Sequence, residues 1–279
     1  MMKPVGFALL PGPGELWVRR GIVSYIGLLV LVPFSVLVFV AFQDGLGAFW
    51  ERITSDVALS AVGLTLWTGL LVGVLNAFFG TLTAWVLFRY PLPLKPLVSA
   101  VVDLPLSIPT LVAGVMLSIL YGPASLLGQK FSALGIDIIF AKPGIILALL
   151  LVTLPFVVRA VEPVLEEVDP AEEEAAVVLG ASPWRAFRTV YFPAIYPAVI
   201  SGSLRSLGRA MGEFGSIVIV AGNIPQETLT APVYIFGEIE SGHPATAASV
   251  GSLLLFIALA LHGIARIAEK RVGGRHAQA

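Results

Sequence analysis

Apolar residues run along this chain in long blocks separated by shorter polar ones, and six blocks approach or exceed the length of a bilayer crossing. About 20 consecutive apolar residues span the hydrocarbon as a helix, and the stretches are 22–42, 59–87, 97–121, 144–161, 196–221 and 247–267. The fourth is short and the fifth carries charges. Polar gaps lie at 43–58, 88–96, 122–143, 162–195 and 222–246. The pattern predicts an all-α integral membrane protein with about six transmembrane helices. Gly21 to Phe42 runs 22 residues without a charge, longer than the apolar region of a secretory signal, and no clear cleavage site follows it. It is read as a retained first span, with Arg19 and Arg20 as its topological anchor.

Basic residues set the orientation. With the N-terminus inside, Lys3, Arg19, Arg20, Arg89, Lys95, Arg159, Arg185, Arg188, Arg266, Lys270, Arg271 and Arg275 all fall inside. Only Arg52, Lys130 and Lys142 fall outside. Such an asymmetry fixes direction by the positive-inside rule, and an even number of spans returns the C-terminus to the cytoplasm. The chain then divides into a cytoplasmic segment (1–20), a first span with its external loop (21–56), a transmembrane core (57–267) containing the polar loop 162–195, and a cytoplasmic tail (268–279).

The third stretch contains Pro105 and Pro109, each of which removes a backbone donor and predicts a helix kink. Freed carbonyls inside a membrane need protein or a wet cavity around them, so the kink serves either packing or a translocation path.

The inside loop 162–195 is the best organised polar segment. Asp169-Pro170 is a helix start, with an acceptor at the cap and proline in the first turn. Glu172, Glu173 and Glu174 suit the positive end of the helix dipole, and Gly180 supplies a left-handed stop. Ser182-Pro183 starts a second helix with an aromatic stripe of Trp184, Phe187 and Tyr191, and Pro193 and Pro197 are predicted to end it. A helical hairpin of this kind either lies on lipid headgroups or docks a cytoplasmic partner. The small Ala175 and Ala176, and an acidic exposed side that anionic lipid repels, favour docking.

Composition narrows the chemistry. The chain is 57% hydrophobic and 13% charged with net charge −1, which offers no basic surface for nucleic acid. It has no cysteine and three histidines without metal-pair spacing, so disulfides, thiol catalysis and Cys-based metal centres are excluded. A phosphate-binding loop requires G-x-x-x-x-G-K-[ST]. The nearest approach, Gly122 to Lys130, has the wrong spacing and falls outside the membrane. Any ATP and magnesium must therefore be bound by another subunit, and the chain itself is expected to hold no cofactor. No nucleophile–base pair appears in the spans. An ion-coupled carrier would need midplane carboxylates, for which Glu213 is the only candidate.

Glu174-Ala175-Ala176, Gly180, Val190 and Phe192-Pro193 together resemble the coupling loop of binding-protein-dependent ABC importer permeases. The resemblance implies a type I ABC importer permease fold in which Glu174, Ala175, Ala176, Gly180 and Pro193 couple to an ATPase subunit. Three stretches, Asp103 to Val115, Leu154 to Ala171 and Gly212 to Gln226, are similar to the T-type permeases of sulfate and thiosulfate importers. Molybdate permeases share the Gly212-Glu-Phe-Gly215 segment but usually lack the extra first span. The resemblance implies ATPase subunits, a second related permease and a periplasmic sulfate-binding protein as partners. In the fifth stretch Arg205, Arg209 and Glu213 are spaced i, i+4, i+8, which predicts one helix face. They are candidates for an internal ion pair or for an anion path and its gating.

Overall fold

The structure, a computed structural model, describes residues 13–276, with side-chain environments for 17–264. The first 12 residues of the predicted N-terminal segment and the last three of the tail lie outside the described residues. The described chain is helical with no strand, in line with the fold class expected from the apolar blocks.

Helix α1 (Pro13–Phe42) leads through the short external α2 (Gly45–Ile53) into α3 (Asp56–Arg89), whose start is capped by Ser55 accepting from the Ala58 amide. Then come α4 (Lys95–Ser107), α5 (Thr110–Tyr121), the short α6 (Leu126–Ala133) and α7 (Lys142–Glu167). A hairpin of α8 (Pro170–Val178) and α9 (Pro183–Ala186) passes through a π turn (Phe187–Tyr191) into α10 (Phe192–Met211). The chain closes with α11 (Gly215–Val220), α12 (Ala231–Glu240) and α13 (Pro244–His276).

Helices α3, α7 and α10 pack against one another as the central unit. Their contact depends on small residues, since apolar side chains gain nothing from leaving lipid and close backbone approach supplies the attraction instead. A methyl group at Gly80 would lie 2.7 Å from Val157 Cβ, and one at Gly202 would lie 2.9 Å from Val157 Cα. Both glycines therefore let α3 and α10 close onto α7. Between them, the fully buried Asn76 donates to Thr153 Oγ1 (2.7 Å) and Ser206 Oγ (2.9 Å), tying all three helices with one side chain. By contrast α1 rests on α13 and α2 at the periphery, and only 6% of its apolar stretch is buried.

Among the described residues four helices, α1, α3, α7 and α13, are long and apolar enough to cross a membrane, and α4 with α5 make a fifth crossing if counted together. Two of the six predicted stretches depart from simple spans. The one at 97–121 is broken: α4 and α5 meet at an angle of 108°. Ile108 is extended because the ring of Pro109 disfavours the helical region for the residue before it, and Pro109 then caps α5, accepting from Val112 and Ala113. Pro105 lies inside α4. The stretch at 196–221 is also interrupted, at Gly212 to Phe214 between α10 and α11. Helix α10 packs against α3, α7 and α13, which buries Ser206 and leaves Arg205 exposed.

Two boundaries of the polar loop also differ from expectation. Helix α7 continues to Glu167, past the predicted loop start at 162. Pro193 and Pro197 do not end the second helix: it runs on as α10, with Pro193 in its first turn and Pro197 inside it. The π turn just before, where the Phe192 amide reaches Phe187 O, widens the helix at the point where the Pro193 ring would otherwise crowd the preceding turn.

Candidate functional site

The hairpin at 168–191 stands on the side of the molecule where α3 and α7 end. Helix α8 starts as its residue types dictate: Asp169 accepts from the Ala171 amide at 2.9 Å, with Pro170 in the first turn. It stops at Gly180, φ +82°. The Gly180 amide bonds Val177 O (2.9 Å) and the Ala181 amide bonds Ala176 O (3.0 Å), the paired return that a left-handed glycine allows. Ser182 then caps α9 by accepting from the Arg185 amide.

Helix α8 buries no residue. Glu174 and Ala175 are exposed, Ala176 is half-buried, and the tip exposes Val177 (55%), Val178 (85%) and Leu179 (88%), with Trp184 (70%) beside them. A run of apolar side chains this exposed at the end of a polar, acidic helix is the mark of a surface that contacts protein or membrane. Pro193 is set apart from this surface, half-buried at the start of α10.

Glu173, which the spacing did not distinguish from its two neighbours, points inward. Both its oxygens are gripped by the guanidinium of Arg89, at 2.8 and 2.7 Å, and Tyr191 donates its hydroxyl to Oε2 at 2.6 Å. Tyr191 is buried with its ring against Trp85 (5.0 Å between centroids) and Phe88 (5.8 Å) of α3. The Tyr191 hydrogen bond, together with Arg89, holds the Glu173 carboxyl below the usual carboxylate range despite its partial burial. Burial, reinforced by the adjacent carboxylate, pushes the Tyr191 phenol up to about 12. The carboxylate–phenol–guanidinium arrangement is thus kept in its bonded charge state across the neutral range.

A second polar cluster went unrecognised in the sequence. Arg159 of α7 forks onto Asp103 of α4 (2.6 Å to each oxygen), reaches Ser99 O (3.0 Å) and Oγ (2.7 Å), and also pairs with Glu162. Helix α4 buries no residue of its own, so this fork is its principal polar attachment to α7. The Arg159–Glu162 spacing of three was readable, whereas the α4 partners were not.

The charges of the fifth stretch separate. Arg209 Nη2 lies 2.7 Å from Glu213 Oε2. Glu213 is 1% exposed and its other oxygen accepts from the Ser216 amide and hydroxyl, both at 2.9 Å. The three charged residues do not share one helix face, because α10 ends at Met211 and Gly212 turns the chain, placing Glu213 beyond the helix. Arg205 is exposed on α10 and outside the pair. Close by, the start of α5 abuts the start of α11: a methyl at Gly215 would lie 3.0 Å from the Leu111 amide. The two helix interruptions, at Pro109 and at Gly212 to Phe214, therefore adjoin.

Comparison with known proteins agrees with this architecture. The model of the binding-protein-dependent transport system inner membrane component family matches residues 76–274. The probable sulfate transport system permease protein cysT of Chlorokybus atmophyticus is 41% identical over 245 residues, 88% of this chain and 86% of the relative. The sulfate transport system permease protein CysT of Synechocystis is 39% identical over 239 residues, 86% of this chain and 84% of the relative. In fold, the chain is similar to a chain of a bacterial alginate ABC transporter crystallised with its alginate pentasaccharide-bound periplasmic protein. There the TM-score is 0.75 at 18% identity, covering 92% of this chain and 94% of that one. It is also similar to a chain of the MetNI methionine ABC transporter in an inward-facing form, with TM-score 0.58 at 21% identity, covering 78% and 99%. The match spans the core helices, the hairpin and both helix breaks, and the chain belongs to the family of binding-protein-dependent transport system inner membrane components.

Proposed function

We propose that the chain is the permease subunit of an ATP-driven importer of sulfate, and of thiosulfate with it. The observation that carries the reading is the joint one of 39–41% identity to sulfate permeases over nearly the whole chain and an exposed apolar hairpin tip for which the described residues supply no cover. In this reading both termini are cytoplasmic, the protein is multi-pass in the inner membrane, and an ATPase subunit that binds ATP and magnesium grips α8 through Glu174, Ala175, Ala176 and the tip. A second, related permease completes the path, and a periplasmic sulfate-binding protein loads it.

ATP binding draws the two ATPase subunits together, the hairpins move with them, and the cavity between the permeases turns outward; hydrolysis resets it. Coupling of this kind requires hairpin contacts that differ between the two ATPase states. In this reading Arg205 and Arg209 of α10 are the cations that meet a dianion on the path. Glu213 neutralises Arg209, and Arg205 has no ion-pair partner among the described residues. One such charge attracts the anion without trapping it.

Uptake of labelled sulfate by cells with and without the gene tests the substrate. Loss of uptake in the deletion, restored by the gene and unaffected by a tenfold excess of molybdate, is the expected result. Undiminished uptake in the deletion, or competition by molybdate at equal concentration, would overturn the assignment in favour of no role or of a molybdate and tungstate permease respectively.

A further inference from the structure

A helix gripped from outside transmits force only through whatever fastens it to the membrane core. Helix α8 has no buried side chain to serve as that fastening, and its packing is confined largely to α9 and the π turn of its own hairpin. Glu173 is the exception. Its side chain is 20% exposed, and its partner across 84 residues of sequence is the last residue of α3. We infer that Glu173, and not the neighbouring Glu174, is the residue through which movement of the hairpin reaches the membrane core, by way of Arg89 at the end of α3 and Tyr191 at the root of α10. The inference rests on the proposed gripping of α8 by an ATPase subunit.

The geometry is suited to the task. A two-pronged guanidinium–carboxylate pair resists both sliding and rotation, which a single hydrogen bond does not. Arg89 sits where its charge also favours the negative end of the α3 dipole, so a pull on Glu173 acts along the axis of a 34-residue helix. Helix α3 packs along both α7 and α10, so its displacement moves the whole central unit. Tyr191 holds the same carboxylate from the other side while its ring is wedged against Trp85 and Phe88, so the hairpin root and the α3 end move as one body. Glu174, one residue on, is exposed and has no hydrogen-bond or ion-pair partner among the described residues, which leaves it for the docking partner. The two adjacent acids thus divide the work, one facing out to the motor and one facing in to the core.

The test is made on the complete transporter, permeases with ATPase subunits and binding protein, in proteoliposomes. Sulfate moved per ATP hydrolysed is measured for the wild type, Glu173→Gln, Arg89→Gln, Tyr191→Phe and the exchanged pair Glu173→Arg/Arg89→Glu. The single charge variants are expected to retain the ATPase subunits on purification while sulfate moved per ATP falls at least tenfold. Tyr191→Phe should fall two- to threefold, and the exchanged pair should recover at least a third of the wild-type ratio. Recovery by exchange is a result that general damage to the fold would not produce. A wild-type ratio in Glu173→Gln, or an exchanged pair no better than the single variants, would overturn the inference while leaving the docking of α8 intact. So would loss of the ATPase subunits in Glu173→Gln, which would make Glu173 a docking residue. A wild-type permease that binds no ATPase subunit would instead overturn the docking reading, and the transmission with it.

Discussion

Glu213 shows how a carboxylate is held inside a largely apolar bundle. One oxygen takes Arg209 and the other takes both donors of Ser216, so its acceptor positions are met within a few residues of chain. Removing the arginine leaves a buried charge without its counterion, which costs more than the pair contributes when intact. Arg209→Met is expected to destabilise the protein by roughly 2–3 kcal/mol, below the full range for buried pairs because Arg209 is itself a third exposed. Arg209→Met combined with Glu213→Gln should regain more than half of that loss, since the amide keeps an acceptor for Ser216 and carries no charge. Thermal unfolding of the purified protein in detergent measures both, and an equal loss in single and double variants would show that the pair is not what Arg209 supplies. The i, i+4 spacing made this pair legible in the sequence. Arg205 and Arg209 share a face of α10, but Glu213 joins that face only if the helix is continuous, and Gly212 is a weak local signal for a break that the packing of α11 enforces. At this scale the limit of sequence reading is distance along the chain: nothing near Glu173 says that it, rather than Glu172 or Glu174, meets Arg89.

The hairpin is the element whose construction was most completely legible, because each of its signals acts within one helical turn. Asp169-Pro170 starts α8, Gly180 stops it, and Ser182-Pro183 starts α9, all by contacts of five residues or fewer. Its stop depends on backbone conformation, not on room: a Cβ at Gly180 meets nothing within 4 Å, but φ is +82°. Gly180→Asp and Glu174→Lys are both expected to abolish transport-coupled ATP hydrolysis while membrane insertion stays normal. Gly180→Asn, a residue that tolerates the left-handed region, should keep most of it. Unimpaired uptake by Gly180→Asp would count against the elbow as a lever, and because Asn and Asp both reach the left-handed region, equal damage by the two would put the loss on the backbone conformation rather than on the added charge. The elements that sequence reading misjudged are those in which proline acts with its neighbours. Pro193 and Pro197 read as stops, yet the π turn ahead of them lets the helix continue. Pro109 read as a kink, whereas the extended Ile108 turns that kink into a 108° change of direction.

At the level of the whole molecule, length and apolarity settle the outer architecture, and charge predicts its direction. The stretches at 22–42, 59–87, 144–161 and 247–267 are each recovered as a long helix because a lipid-crossing block needs no partner to define it. The predicted orientation rests on the twelve basic residues expected on one side; in the structure Arg89 and the hairpin share one end of the bundle while Arg52 lies with Tyr234 and Glu238 at the other. The absence of cysteine from the chain makes the orientation directly measurable, because an introduced thiol is the only one present. Ser241→Cys lies in the exposed turn between α12 and α13, and Val178→Cys lies at the hairpin tip, 85% exposed. In spheroplasts treated with a membrane-impermeant maleimide, Ser241→Cys should be modified and Val178→Cys spared. In inverted membrane vesicles the pattern should reverse, and added ATPase subunits should then protect Val178→Cys by covering the tip. Modification of Val178→Cys from the outside would place the hairpin away from any cytoplasmic motor, and neither the docking surface nor the Glu173–Arg89 link to it would survive that result.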